Sequence, residues 1–158
     1  MRSSWIGLAA GLVWIASARA DSEAPIALAK VPAVVVESAR QAAPGVKLEK
    51  AVKSVEEGKT YYDLIGRDAQ GREIDVELTA SGQVLGVGTE VPMASVPRIV
   101  LSALKTKSKG MRFTEAEVVT LNGRLIAYRL SGRNGRGDDV EATVSPDGRA
   151  VEIEVDDD

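Results

Sequence analysis

Ser102, Ala103, Leu104 and Lys105 spell S-x-x-K, the spacing at which a lysine one helical turn away could activate a serine nucleophile. The same register in the first half of the chain reads Glu37, Ser38, Ala39, Arg40, on a segment patterned as an amphipathic helix, so a solvated helix face explains both. Gly82, Gly86 and Gly88 raise the thought of a phosphate loop, but no helix start follows them, and they suit a turn and a link. At the C-terminus Glu152, Glu154 and Asp156 to Asp158 offer hard oxygen ligands for calcium. They lack the Asp/Asn and glycine spacing of a calcium loop, and the alternation of Glu152 with Glu154 fits the wet face of a strand. Arg133, Arg136 and Arg149 form a basic group around glycine turns that reads as solubilising. Histidine and cysteine are absent, which removes the commonest general base, the thiol nucleophile and the usual zinc ligands. The expectation is therefore no catalytic residue, no metal, no cofactor, and a chain that is not an enzyme.

What must position any binding residue is written twice. Val31-Pro32, Gly45 and Gly58 recur 65 positions later as Val96-Pro97, Gly110 and Gly123. After one extra residue the spacing is 66: Tyr62, Leu64, Gly66, Arg67, Gly71, Val76 and Gly82 answer to Tyr128, Leu130, Gly132, Arg133, Gly137, Ala142 and Gly148. Two copies of one supersecondary unit, each too small for a generous core, are expected to share one.

The first twenty residues stand apart. Arg2, an apolar run from Trp5 to Ile15 and the small-residue site Ala18-Arg19-Ala20 read as a secretory signal peptide cleaved after Ala20. The run is too short for a membrane span, so residues 1–20 are assigned to the signal, 21–89 to a first unit and 90–158 to a second, with no stable membrane anchor after cleavage. Both tryptophans go with the signal, leaving Tyr61, Tyr62, Phe113 and Tyr128 as the mature aromatics, so the core must be aliphatic. Loss of Arg2 and Arg19 takes the formal charge from −3 to −5, which argues against binding a phosphate backbone; nucleic acid is not expected as a partner.

Each unit opens with a proline-started helix. Val34, Val35, Ser38 and Ala39, and then Ile99, Val100, Ala103 and Leu104, fall at i, i+1, i+4 and i+5, a single stripe; residues 25–30 add a short extra turn or helix before the first. Residues 46–55 and 111–121 are extended and end at Glu57-Gly58 and Asn122-Gly123, two-residue hairpin turns. Strands follow over 59–66 and 124–132. Next, Ile74, Val76 and Leu78, then Val140, Ala142 and Val144, alternate with polar residues, and short last strands run over 83–87 and 149–155. The expected class is α+β: a tandem repeat of a helix plus a four-stranded antiparallel meander, with the helices packed on one face of the sheet or sheets.

The opposite face is then open and is the candidate binding surface. By parity it carries Tyr61, Asp63, Asp75 and Glu77 from the first unit and Arg129, Glu141 and Thr143 from the second, unless a bulge flips the register. On this reading Glu77→Lys spares the fold, whereas Gly148→Val damages it through a turn.

The order of these signals, with the segments Gly58-Lys59-Thr60-Tyr61-Tyr62-Asp63 and Val144-Ser145-Pro146-Asp147-Gly148-Arg149, resembles the PepSY domain over residues 27–87 and 92–155. Two such units in an exported chain are also similar in architecture to the β-lactamase inhibitory protein, although this chain has no cysteine and few aromatic anchors. The resemblance implies a periplasmic or secreted, non-enzymatic binding protein that modulates or inhibits an extracytoplasmic protein or peptide partner, for example a peptidase. The alternative is a periplasmic sensor module that binds a small ligand or peptide in an envelope signalling pathway. The sequence leaves the oligomeric state open.

Overall fold

The computed structural model describes residues 22–156; the expected signal peptide and cleavage site lie outside the described residues. The chain divides into two compact units, one ending at Thr89 and the other beginning at Glu90. The first holds strand β1 (Ser22–Ile26), a 3₁₀ turn (Leu28–Lys30), helix α1 (Ala33–Ala42), β2 (Lys47–Glu56), β3 (Lys59–Arg67), β4 (Glu73–Thr79) and most of β5 (Val84–Val91). The second holds a 3₁₀ turn (Met93–Ser95), α2 (Arg98–Lys107), β6 (Arg112–Leu121), β7 (Arg124–Arg133), β8 (Asp139–Val144) and β9 (Val151–Asp156). Among the described residues no helix is long and apolar enough to cross a membrane.

The expected tandem of helix plus four-stranded meander needs correction. The strands follow one another in a single nine-stranded sheet, in the order β1 to β9, and the two α-helices are a minor part of the chain. Strand pairing through backbone groups carries no side-chain signature, so hydrophobic alternation could not show where one sheet stops. The strand beyond the eight of the two expected meanders is β1, which takes up the start of the segment read as a short turn or helix over residues 25–30. It pairs antiparallel with β2, Ser22 opposite Val55 and Ile26 opposite Ala51. Pro25 lacks an N–H to give and is tolerated on a strand that pairs on one side only. Only Leu28–Lys30 turns, as 3₁₀.

In the first unit α1 lays Val35 and Ala39, both fully buried, against Leu64, Val76 and Leu78. In the second, α2 lays Val100 and Leu104 against Ala116, Leu130, Ala142 and Val144. The other two positions of the expected stripe behave differently in part: Val34 and Ile99 are 52% and 55% exposed. Each helix follows a proline whose ψ of 138° or 142° is still extended, so Pro32 and Pro97 cap the helices from outside rather than sit in the first turn.

The hairpins β2–β3 and β6–β7 close with two residues each, Glu56 opposite Lys59 and Leu121 opposite Arg124. Glu57 and Gly58 have φ of 49° and 76°, and Asn122 and Gly123 have 52° and 74°, the paired positive values of a type I′ turn. Gly66 and Gly132 serve another purpose than turning. Both lie inside strands opposite a bulge, between Leu48 and Lys50 in β2 and between Phe113 and Glu115 in β6. There the bulged strand comes so close that a Cβ on Gly66 would overlap the Lys47 carbonyl, and one on Gly132 the Arg112 carbonyl.

Candidate functional site

The face of each sheet region turned away from its helix is set by strand alternation. In the first unit, Leu64 and Val76 pair across β3–β4 on the helix side, which puts Asp63 and its partner Glu77 on the other, with Asp75 opposite Ile65 one rung along that face. Tyr61 pairs with Thr79 on the same side. In the second unit, Leu130 pairs with Ala142 toward α2, so Arg129 with Thr143, and Ser131 with Glu141, occupy the far face.

This face is not the open, wet surface that alternation suggests. Asp63, Asp75, Glu77 and Arg129 are only 3%, 2%, 3% and 3% exposed, while Tyr61, Glu141 and Thr143 are half-buried. Glu77→Lys therefore cannot be the harmless surface change read from sequence, because it would place an ammonium group where a carboxylate is nearly sealed from water.

Arg129 organises the second unit's face. Its guanidinium lies between two carboxylates of the neighbouring strands, with Nη1 3.8 Å from Glu117 Oε2 and Nε 3.5 Å from Glu141 Oε1. The three strands β6, β7 and β8 each contribute one member. At this burial the attraction offsets a desolvation cost of several kcal/mol per ion, roughly, and losing either partner exposes the remainder of that cost. From β6 to β9 one row runs Glu117, Arg129, Thr143, Glu152, passing from buried to partly exposed.

Glu117, 6% exposed, escapes sequence reasoning. Counting back from the two-residue turn at Asn122-Gly123 sets Glu117 opposite Tyr128. An extra residue, Ile126, enters β7 between the pairs Val119–Ala127 and Thr120–Leu125, and moves Glu117 opposite Arg129 instead. The change of spacing from 65 to 66 in the sequence falls at this bulge, and it was the signal available.

Two loops carry ordered polar groups outside this face. Asp68 Oδ1 accepts from the N–H groups of Gln70 and Arg72, both at 2.9 Å, and Arg72 also pairs with Oδ2. Desolvation pushes this carboxyl up, but the hydrogen bonds from Arg72 and Gln70 and the Arg72 charge together outweigh it and hold its pKa below 3.8. At the position 66 further on, Asn134 Oδ1 accepts from the N–H groups of Arg136 and Asp138 in the same manner. Asp147 accepts from the Ser145 hydroxyl at 2.7 Å and from the Arg149 N–H, which lower its pKa as well. Ser102 and Lys105 are both exposed on α2. Among the described residues no group of three or more acidic side chains converges as a metal site would require.

No family model matches the sequence, and no curated protein matches it, so the PepSY resemblance stands on the motifs alone. Solved structures do match. A DUF2874 family protein from Bacteroides uniformis aligns with a TM-score of 0.57 at 16% identity, covering 78% of this chain and 88% of that one. Another DUF2874 family protein, from Bacteroides ovatus, aligns with a TM-score of 0.54 at 15% identity, covering 78% and 86%. A BLIP-like protein from Bacteroides fragilis aligns at 0.49 and 17% identity, covering 79% and 87%. At these identities the likeness is one of fold: the chain folds as the DUF2874 structures do.

Proposed function

We propose that this chain is an exported, non-enzymatic binding protein that modulates an envelope or secreted protein, using the sheet surface turned away from its helices. The observation that carries the reading is the row Glu117, Arg129, Thr143, Glu152. A face that served only to bury apolar area would have no need of charges at 3% and 6% exposure, each costly to desolvate. Fixed charge that grades into partly exposed polar groups is an arrangement for recognition, where complementarity decides which partner fits. Export rests on the signal-like N-terminus, and the periplasm or the medium is where the partner is sought.

The test uses the chain from residue 21 to 158 as bait in crosslinked capture from periplasmic extract. Thr143→Arg and Tyr61→Ala, each of which alters a half-buried position on the far face of its own unit, are run beside it. One protein captured reproducibly by the parent chain and lost from a variant with an unchanged melting curve supports the reading. Equal capture by the parent and both variants contradicts it.

A further inference from the structure

We infer that the outer edge of β9 is a second binding surface, which accepts an extended peptide alternating basic and aliphatic residues as an added strand. The inference rests on the binding-protein reading above but uses the outer backbone edge of β9, which borders that face at Glu152, and stands on the geometry of the last hairpin.

The Ser145 N–H donates to the Ala150 carbonyl at 2.9 Å, which makes Ser145 and Ala150 a hydrogen-bonded pair at the mouth of the hairpin. Hydrogen-bonded and non-hydrogen-bonded pairs alternate along an antiparallel ladder. The next pairs out of register, Val144 with Val151, Ala142 with Ile153 and Val140 with Val155, are therefore the non-bonded ones. The N–H and C=O groups of Val151, Ile153 and Val155 consequently point away from β8. Lys107 supports this independently, since its Nζ reaches the Val151 carbonyl at 3.4 Å from the end of α2. As β9 closes the strand order, Ile153 and Val155 direct their backbone groups to a side where no strand lies among the described residues.

Side chains then select the occupant. Val151 and Ile153 pack on the α2 side as part of the core, so an added strand would extend that apolar layer with aliphatic residues. Glu152 and Glu154 project to the other face, where Glu141 stands directly opposite Glu154. Opposite charges on neighbouring strands stabilise a sheet and like charges weaken it. A second β9 would set glutamate against glutamate, whereas lysine or arginine at every second position complements the row. The occupant is thus a basic, alternating strand and not another copy of this chain.

The probe is a labelled heptapeptide of sequence Lys-Val-Lys-Ile-Lys-Val-Lys, compared with the same composition rearranged so that its lysines are contiguous. The alternating peptide is expected to bind the 21–158 chain roughly tenfold more tightly than the rearranged one, a difference near one net charged hydrogen bond. It should also slow amide exchange at Ile153 and Val155. Ile153→Pro removes an outward N–H and should weaken binding by a similar factor. The double change Glu152→Lys with Glu154→Lys leaves the backbone intact and should abolish the preference, so the inference stays testable if the proline variant fails to fold. Equal binding of the two peptides, affinity untouched by the charge reversal, or unaltered exchange at Ile153 and Val155 would overturn it. Partner capture lost by Thr143→Arg but peptide binding retained would separate this edge from the sheet face.

Discussion

At the residue scale the decisive group is Arg129, a nearly sealed cation held between Glu117 and Glu141. Arg129→Ala leaves a buried carboxylate without its counter-charge and is expected to cost about 3–5 kcal/mol, read from denaturant midpoints. Adding Glu117→Gln and Glu141→Gln to that variant should recover part of the loss, because neutral amides are cheaper to bury; no recovery would mean the cost came from lost packing. Asp68 supports an acid-range prediction. Its folded pKa lies below the unfolded value of 3.8, so its contribution is present above that value and is lost as pH falls through the folded pKa. Asp68→Asn should keep the turn, as Asn134 does at its own loop, and make the fall in stability below pH ~4 shallower than in the parent, with Asp147 responsible for part of what remains. A pH profile of melting temperature identical to the parent's would show that Asp68 has no part in the acid-range loss of stability.

At the element scale the hairpins and bulges set the registers that bring these residues together. Glu57 occupies a left-handed position that a bulky L-residue adopts at a cost, while its counterpart Asn122 suits it. Glu57→Asn is expected to stabilise the β2–β3 hairpin by about 0.5–1 kcal/mol, measured by chemical unfolding. Gly132→Ala forces a methyl into the Arg112 carbonyl and is expected to cost about 3 kcal/mol and to disturb the Glu117–Arg129 register beside it. Much at this scale was legible: the two-residue turns, the buried Val35–Ala39 and Val100–Leu104 stripes, and the alternation of β4 and β8 all have side-chain signals. What was hidden depends on backbone geometry. A strand led by Ser22 with a proline in it looks like a loop or turn, and Gly66 and Gly132 look like turn glycines until the bulge opposite them is seen.

At the scale of the whole molecule, nine strands in sequence order replace the expected repeated meander, and the face away from the helices proves largely buried where the charged residues sit. Parity in the sequence could place Asp63, Asp75, Glu77 and Arg129 on one side of their strands, since period two is a property of the strand itself. It could not report their exposure, which is decided by whatever covers that side, and it could not find Glu117 across a bulge. The edge-strand proposal likewise depends on which pairs of β8–β9 are hydrogen-bonded, a fact that only the hairpin geometry supplies. The fold shared with the DUF2874 structures leaves function to these surfaces.

We propose above that a partner docks on the face carrying Thr143 and Glu152. The most direct measurement places a photo-crosslinking amino acid singly at Thr143, at Glu152, and at the exposed helix position Ile99, followed by irradiation in periplasmic extract. One shared crosslinked protein is expected from Thr143 and Glu152, and none from Ile99. Crosslinks to that protein from Ile99 with none from the two face positions would contradict it.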